Sequence, residues 1–201
     1  RFTEKFSANT GVHLQSLTLN NTFSVEPRIG LIYKISPLKT LSFGYGLHGQ
    51  VQNALVYFYP TTTGNGNLVY TNKNLDFTKS HHFVFALNSW LTPNLQLKSE
   101  LYYQSIFNAP VERVSSPFSA LKEQLVNNGS GKNYGLEITL QKHFNDDYYM
   151  MANGSIFSSR YKGSDKIERN TPFNSSYTFK IVGGRELKLW DGTLSINLGA
   201  T

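Results

Sequence analysis

Glycines, histidines and carboxylates are the residues of this sequence whose types and spacing could do chemistry. The stretch GYGLHG, residues 44–49, satisfies the G-x-G-x-x-G pattern of a dinucleotide-binding loop. That chemistry needs a strand, then glycines in a turn, then a helix whose N-terminus holds pyrophosphate. Here the alternation continues through VQNALVY, so the glycines lie inside a predicted strand. We interpret Gly44 and Gly46 as residues that leave room on one face or let the strand bend.

The His81-His82 pair suggests a metal site, but neighbours on a strand point to opposite faces and cannot chelate one ion together. We therefore predict neither a metal nor a cofactor, and interpret His82 as a polar side chain on one face. Glu26, Glu100 and Glu137 share a face of three predicted strands, with cations between them, which is typical of a charge-paired wall. We predict no catalytic residue and no enzymatic activity.

The composition leaves the protein class open. The chain has 201 residues, of which 39% are hydrophobic and 16% charged, enough for one domain with a sizeable core. It has no apolar run near 18 residues, which excludes a transmembrane helix, whereas a membrane β-barrel remains allowed because half of its residues face water. The net charge of +6 is scattered over strands and loops, so we predict no nucleic-acid partner. The start, RFTEKF, suggests a piece of a longer protein.

Alternating runs predict about nine strands, with a possible helix only at SALKEQLV, residues 119–126. The strands are expected near 5–16, 24–35, 41–57, 78–90, 95–106, 133–144, 148–161, 175–187 and 193–199. Short turns at 36–40, 92–94, 145–147 and 190–192 alternate with long links near 17–23 and at 58–77, 107–132 and 162–174. This asymmetry is typical of outer-membrane barrels, with short periplasmic turns and longer extracellular loops.

The predicted strands have one apolar and one polar face. In VEPRIGLIYKI, residues 25–35, the apolar Val25, Ile29, Leu31, Tyr33 and Ile35 alternate with Glu26, Arg28 and Lys34. We expect the apolar set to meet lipid together with Leu41, Phe43, Tyr45 and Leu47. The alternation does not assign faces at 148–161. Aromatic residues near both kinds of connection predict two interfacial belts: Trp90, Phe144, Tyr148 and Trp190 at the short turns, and Tyr57, Phe77, Phe107, Tyr134, Tyr161 and Tyr177 at the long loops.

Three interpretations fit these patterns. The first is an all-β fold of antiparallel up-and-down strands that form part of a large transmembrane β-barrel. The second is a small, self-contained outer-membrane barrel with a structural or adhesive role. The third is a soluble β-sandwich that binds carbohydrate, in which the apolar faces would meet a second sheet.

Six segments, taken in order, resemble the barrel domain of TonB-dependent outer-membrane receptors, most of all the Bacteroidetes type with a carboxypeptidase-regulatory-like domain. They are VEPRIGLIYKI, LSFGYGLHGQVQ, NLDFTKSHHFVFAL, LKSELYYQSIFNAPVE, GSGKNYGLEITLQKHF and SSRYKGSD followed by RNTPFN. The resemblance implies a bacterial outer-membrane location and a 22-stranded barrel, filled by a plug, that imports a scarce ligand with energy from the TonB complex. Expected partners are outer-membrane lipid, the protein's own plug, the TonB complex and an unknown ligand such as a siderophore, cobalamin, glycan or peptide.

About nine strands cannot close a lumen of that width, so we expect residues 1–201 to be an open fragment of the barrel, without the plug and the remaining strands. Strand direction places one set of polar residues on the inner face, in the outward half of the barrel. These candidates for contact with ligand or plug are Glu26, Arg28, Gln50, Gln52, His82, Tyr102, Gln104 and Glu137.

Overall fold

The computed structural model describes residues 3–62, 65–113, 124–145 and 147–201. Twelve strands follow one another along the chain, with a one-turn α-helix at Ala54–Tyr57 and a 3-10 helix at Thr71–Asn74. The strands are β1 Phe6–Leu17, β2 Thr22–Ser36, β3 Lys39–Gln50, β4 Thr61–Thr62, β5 Leu68–Val69, β6 Thr78–Thr92, β7 Leu95–Glu112, β8 Leu125–Asn145, β9 Tyr148–Lys162, β10 Glu168–Asn170, β11 Tyr177–Leu189 and β12 Gly192–Ala200.

Nine long strands form one antiparallel meander in the order β1-β2-β3-β6-β7-β8-β9-β11-β12, and the short β10 pairs with the end of β9. Because each long strand pairs with the next, successive connections lie at alternate ends of the sheet. The four short turns therefore share one end, and the four other links share the opposite end, as predicted. Within the described residues β1 and β12 each pair on one side only, so this sheet is open.

Among the described residues the only other sheet is the two-residue pair β4–β5, too small to cover a face of the large sheet, which contradicts the β-sandwich alternative. In the described part of the chain only Tyr57, Leu75, Phe77 and Ala86 are buried hydrophobic residues. Large apolar residues on the strands are widely exposed instead, including Leu101 at 57% and Leu198 at 76%. Such a face needs a partner outside the protein, and lipid supplies one.

Strand register sorts the two faces as the sequence predicts. Ile29, Leu31 and Tyr33 pair with Tyr45, Phe43 and Leu41, so both predicted apolar sets lie on one face, hereafter the apolar face. Arg28 pairs with Gly46 on the opposite, polar face. The register also assigns β9, whose alternation was ambiguous: Ile156 pairs with Leu136 on the apolar face, and Ser159 pairs with Asn133 on the polar face.

Two predicted boundaries are wrong. The expected strand 41–57 ends at Gln50, because the Asn53 side chain accepts a hydrogen bond from the backbone N–H of Leu55 at 3.0 Å and caps a helix instead. The expected link 107–132 is shorter, because β7 continues to Glu112 and β8 begins at Leu125. Most of the predicted helix 119–126 lies outside the described residues, and its last two residues, Leu125 and Val126, belong to β8. Asp146, in the short turn 145–147, also lies outside the described residues.

The link between β3 and β6 folds over a small core of its own. Tyr57 and Phe77 are 3% and 1% exposed in it, so neither belongs to an interfacial aromatic belt as the sequence had suggested. Asn72, also 1% exposed, donates to the carbonyl of Val56 at 3.2 Å and accepts from the N–H of Leu125 at 2.9 Å. The link is thereby tied to the start of β8.

Trp90 also lies outside the predicted lipid-facing belts. It pairs with Gln96 in the ladder, which places it on the polar face, and its ring stacks on that of His143 at a centroid distance of 5.2 Å. Tyr134, in contrast, pairs with Tyr103 on the apolar face, as expected of an interfacial ring.

No helix among the described residues is both long enough and apolar enough to cross a membrane.

Candidate functional site

A row of polar side chains crosses the polar face at one level of the ladder. Cross-strand pairing joins β2, β3, β6, β7, β8 and β9 there, through Arg28, Gly46, His82, Gln104, Asn133 and Ser159. Paired residues on neighbouring strands share a face, with side chains roughly 5 Å apart. Three of the residues predicted from the sequence, Arg28, His82 and Gln104, therefore lie in one row.

Glu26 is the buried centre of this region, with 1% of its surface exposed. Its carboxylate accepts hydrogen bonds from Gln15 Nε2 at 2.6 Å and from the backbone N–H of Gly49 at 2.9 Å, and it contacts His13 Nδ1 at 3.0 Å. Arg28 Nη2 donates to it from 3.4 Å. A buried charge needs such partners, so Glu26 holds three neighbouring strands together.

Gly49 lies close against the same cluster. A Cβ added there would lie 2.6 Å from Ser24 Oγ and 2.7 Å from a Glu26 carboxylate oxygen. Ser24 is itself 1% exposed and lies on the same face of β2 as Glu26. A side chain at Gly49 would therefore force the ends of the Ser24 and Glu26 side chains to shift.

A chain of side-chain hydrogen bonds connects the row to the link between β9 and β11. Thr171 donates to Ser159 at 2.8 Å, Ser159 to Asn133 at 2.7 Å, and Asn133 to Gln104 Oε1 at 2.6 Å. Because the Gln104 oxygen is used in this way, its amide nitrogen faces His82 Nε2 at 2.7 Å, and His82 Nε2 then accepts that bond. The chain fixes the amide orientations of Gln104 and Asn133 and joins four strands, β6 to β9.

Tyr102 lies over a glycine of the neighbouring strand. It pairs with Gly135, where an added Cβ would be 2.8 Å from the Tyr102 hydroxyl and 2.6 Å from the carbonyl of Ile156. Gly46 likewise leaves room for His48, whose Nε2 would lie 2.6 Å from a Cβ there. Gly44 has no atom within 4 Å of such a Cβ, so contact on this face does not explain that glycine.

The remaining predicted residues are more dispersed. Glu137 pairs with Glu100 on the polar face and accepts from Asn153 Nδ2 at 2.9 Å. Gln50 is the last residue of β3, whereas Gln52 lies beyond the strand and donates to Thr78 Oγ1 at 2.8 Å. The sequence therefore places Gln52 wrongly inside a strand. Whether any of these residues touches ligand or plug stays a prediction.

Sequence patterns missed several members of the site. His13 and Gln15 lie on β1, and only the register that pairs His13 with Glu26 shows that they reach this carboxylate. His48 lies within the GYGLHG stretch, and its ring centroid is 4.5 Å from that of His82. The regular i, i+2 spacing of His13 and Gln15 was the available signal.

The two adjacent histidines point away from each other, as the strand geometry requires. His82 lies in the polar row, while His81 is on the apolar face, where its Nδ1 is 3.1 Å from the Tyr45 hydroxyl. Among the residues that the structure describes, no group of three or more His, Cys, Asp or Glu side chains could hold a metal ion.

The architecture and its two faces define a segment of an outer-membrane β-barrel wall. A family model described as "TonB dependent receptor-like, beta-barrel" matches residues 1–200, and the chain belongs to this family. Members of this family are outer-membrane proteins, so the apolar face is the one that meets lipid. No curated protein matches the sequence.

Solved structures share the fold at low sequence identity. The alcaligin outer-membrane receptor FauA from Bordetella pertussis has a TM-score of 0.65 and 18% identity over 99% of this chain and 34% of its own. The ferric yersiniabactin uptake receptor FyuA from Yersinia pestis has a TM-score of 0.68 and 12% identity, over 98% and 31%. The RagAB peptide importer has a TM-score of 0.62 and 14% identity, over 98% and 32%. The chain spans about a third of the length of these proteins.

Proposed function

We propose that this chain is part of the barrel wall of a TonB-dependent import receptor, and that the plug and the other strands belong to a longer protein. The receptor would take up a scarce ligand across the outer membrane with energy from the TonB complex. Family membership over residues 1–200 is the observation that carries this proposal. The matched structures include an alcaligin receptor, a ferric yersiniabactin uptake receptor and a peptide importer, so the fold leaves the ligand class open.

We further propose that the outward part of the polar face contributes to ligand recognition through Arg28. The Arg28 side chain is 47% exposed, and within the described residues its guanidinium group reaches only Glu26, at 3.4 Å. Guanidinium has five N–H donors in a planar fork, so most of them remain available to a ligand. The buried Glu26 carboxylate contacts one guanidinium nitrogen, Nη2, and so orients the group.

The same geometry also supports a structural role, in which the polar face binds only the plug. Glu26 is already satisfied by its own neighbours, and Lys98 pairs with Glu100 at 2.7 Å. Residues paired in this way have little left to offer a ligand. The two roles differ in what mutation of the exposed residues would do.

Ligand affinity of the full-length receptor should be measured for Arg28→Ala, Gln50→Ala and Tyr102→Ala. Lys34→Ala and Gln96→Ala are matched controls, since both lie on the polar face toward the short-turn end. We expect a loss of about tenfold or more for Arg28→Ala, the usual effect of removing a charged hydrogen bond, with little change in the controls. Equal losses in both sets, or none in either while folding is intact, would leave only the structural role.

Import itself is tested separately. Cells that lack the full-length gene should lose uptake of one ligand class, offered in turn as ferric siderophores, cobalamin, oligosaccharides and peptides. Uptake should also stop when the TonB complex is disabled. Uptake that persists without the TonB complex would contradict the proposal.

A further inference from the structure

The charges on the apolar face are almost all of one sign. Strand register places seven cations on this face, and the acid Glu168 of β10 lies among three of them. The cations are Lys39, Lys79, Lys132, Lys142, Arg160, Lys162 and Arg185. The polar face, in contrast, carries acids and cations side by side, such as Glu100 and Lys98. The excess of positive charge therefore lies on the face that meets lipid.

These cations lie at the two borders of the apolar band. On β8 the outward-facing residues between Lys132 and Lys142 are Tyr134, Leu136, Ile138 and Leu140, all apolar or aromatic. Ten residues of strand span roughly 34 Å, or about 24 Å along the membrane normal at a tilt near 45°. That height matches the roughly 25 Å apolar band of outer-membrane barrels. Lys132 and Lys142 therefore lie at the level of the lipid headgroups of the two leaflets.

Three of the cations cluster at the long-loop border. Lys132 pairs with Arg160 across β8 and β9, and Lys162 follows two residues later on the same face. Glu168 lies among them, 3.2 Å from Lys132 Nζ and 3.7 Å from Arg160 Nη1, and it pairs with Lys162 in the ladder. One carboxylate cannot neutralise three cations, so the cluster keeps an excess positive charge.

The cluster is accessible to lipid. The side chains of Lys132 and Arg160 are each 48% exposed, and that of Glu168 is 29% exposed. Directly below Lys132 on the same strand is Tyr134, a ring of the interfacial type, which is 45% exposed. A lipid chain against Tyr134 would bring its headgroup to the three cations.

We propose that Lys132, Arg160 and Lys162 form a binding site for the phosphate groups of anionic lipids in the outer leaflet. Glu168 holds Lys132 and Arg160 side by side, so that both present N–H donors to one phosphate. Position favours lipid over a soluble anion, because the site borders the apolar band on the face turned away from the barrel interior. This inference rests on family membership and does not depend on what the receptor imports.

The test uses the full-length receptor in detergent micelles, titrated with fluorescent lipid A and with the same lipid after enzymatic removal of its phosphates. Lys132→Ala/Arg160→Ala should weaken binding of the phosphorylated lipid by about 25-fold, or fivefold for each cation near a membrane surface. Lys98→Ala/Lys180→Ala is the matched control, because it removes the same charge from the polar face. Equal losses in both variants, or equal affinity of the wild type for the two lipids, would overturn the proposal.

A variant that should bind lipid more tightly separates an effect on binding from an effect on folding. Glu168→Gln removes the only acid of the cluster, so phosphorylated lipid should bind more tightly by a few-fold. Weaker binding of Glu168→Gln, with the receptor still folded by its thermal transition, would contradict the charge-based site. Inorganic phosphate should not displace the lipid at equal concentration; displacement would assign the cluster to a soluble anion instead.

Discussion

Placing an arginine at Ile138 tests which face of the sheet meets lipid. Ile138 is 44% exposed on the apolar face of β8, six residues from Lys132 and four from Lys142. At roughly 3.4 Å per residue and a 45° tilt, it lies about 10 Å or more inside both borders of the apolar band. An arginine near the midplane destabilises such barrels by about 2 to 4 kcal/mol, and one near the interface by about 0 to 1 kcal/mol.

The free energy of unfolding should be measured by guanidinium titration of the full-length receptor in phosphatidylcholine vesicles, with tryptophan fluorescence as the signal. We expect Ile138→Arg to lose about 2 to 4 kcal/mol, and Leu140→Arg, two residues from Lys142, to lose clearly less. Gln141→Arg on the polar face should stay within about 0.5 kcal/mol of the wild type, as exposed substitutions usually do. If Ile138→Arg loses no more than Gln141→Arg, the assignment of faces is wrong.

Three further predictions concern local contacts. Gly135→Ala should destabilise the receptor by about 1 to 3 kcal/mol in the same titration, because the new methyl group meets Tyr102 and a β9 carbonyl; an unchanged midpoint would contradict this. Asn72→Ala should speed amide hydrogen exchange across 51–77, because two backbone groups lose a buried partner, and should leave exchange in β11 unchanged. The hydrogen bonds from Arg169 lower the pKa of Asp165 below its usual 3.8. The ion pair is therefore intact above pH 3.8 and is lost only as the pH falls through the lowered pKa, which should speed amide hydrogen exchange at residues 163–170. In Asp165→Asn this pH-dependent change in exchange should be absent.

The alternation of side chains predicted most of the fold, because a strand has a period of two and the two faces here meet different surroundings. It failed where local chemistry overrides the pattern. Residues 51–57 continue the alternation of β3, yet Asn53 caps a helical turn and the strand ends. The alternation also assigned no faces in β9, because small residues such as Ala152, Gly154 and Ser155 do not distinguish one face from the other.

The sequence predicted only part of the candidate site, for a related reason. The polar face of each strand can be identified from that strand alone, so Glu26, Arg28 and His82 were found. Contacts between strands depend on register, and register depends on the bulges and turns of the folded chain. His13 therefore reaches Glu26 only once the pairing of β1 with β2 is known.

The excess of basic residues in the composition is not concentrated on the polar face of the sheet. The chain has 19 Lys and Arg residues against 13 Asp and Glu residues, and seven of these cations lie on the apolar face. On the polar face opposite charges lie side by side, as in the pairs of Arg28 with Glu26 and of Lys98 with Glu100. Long-range attraction of an anionic ligand needs an uncompensated field on the face that the ligand approaches. Because the charges of the polar face are paired, the recognition proposed there would depend on short-range hydrogen bonds from exposed groups such as Arg28, while the seven cations of the apolar face lie on the side that meets lipid.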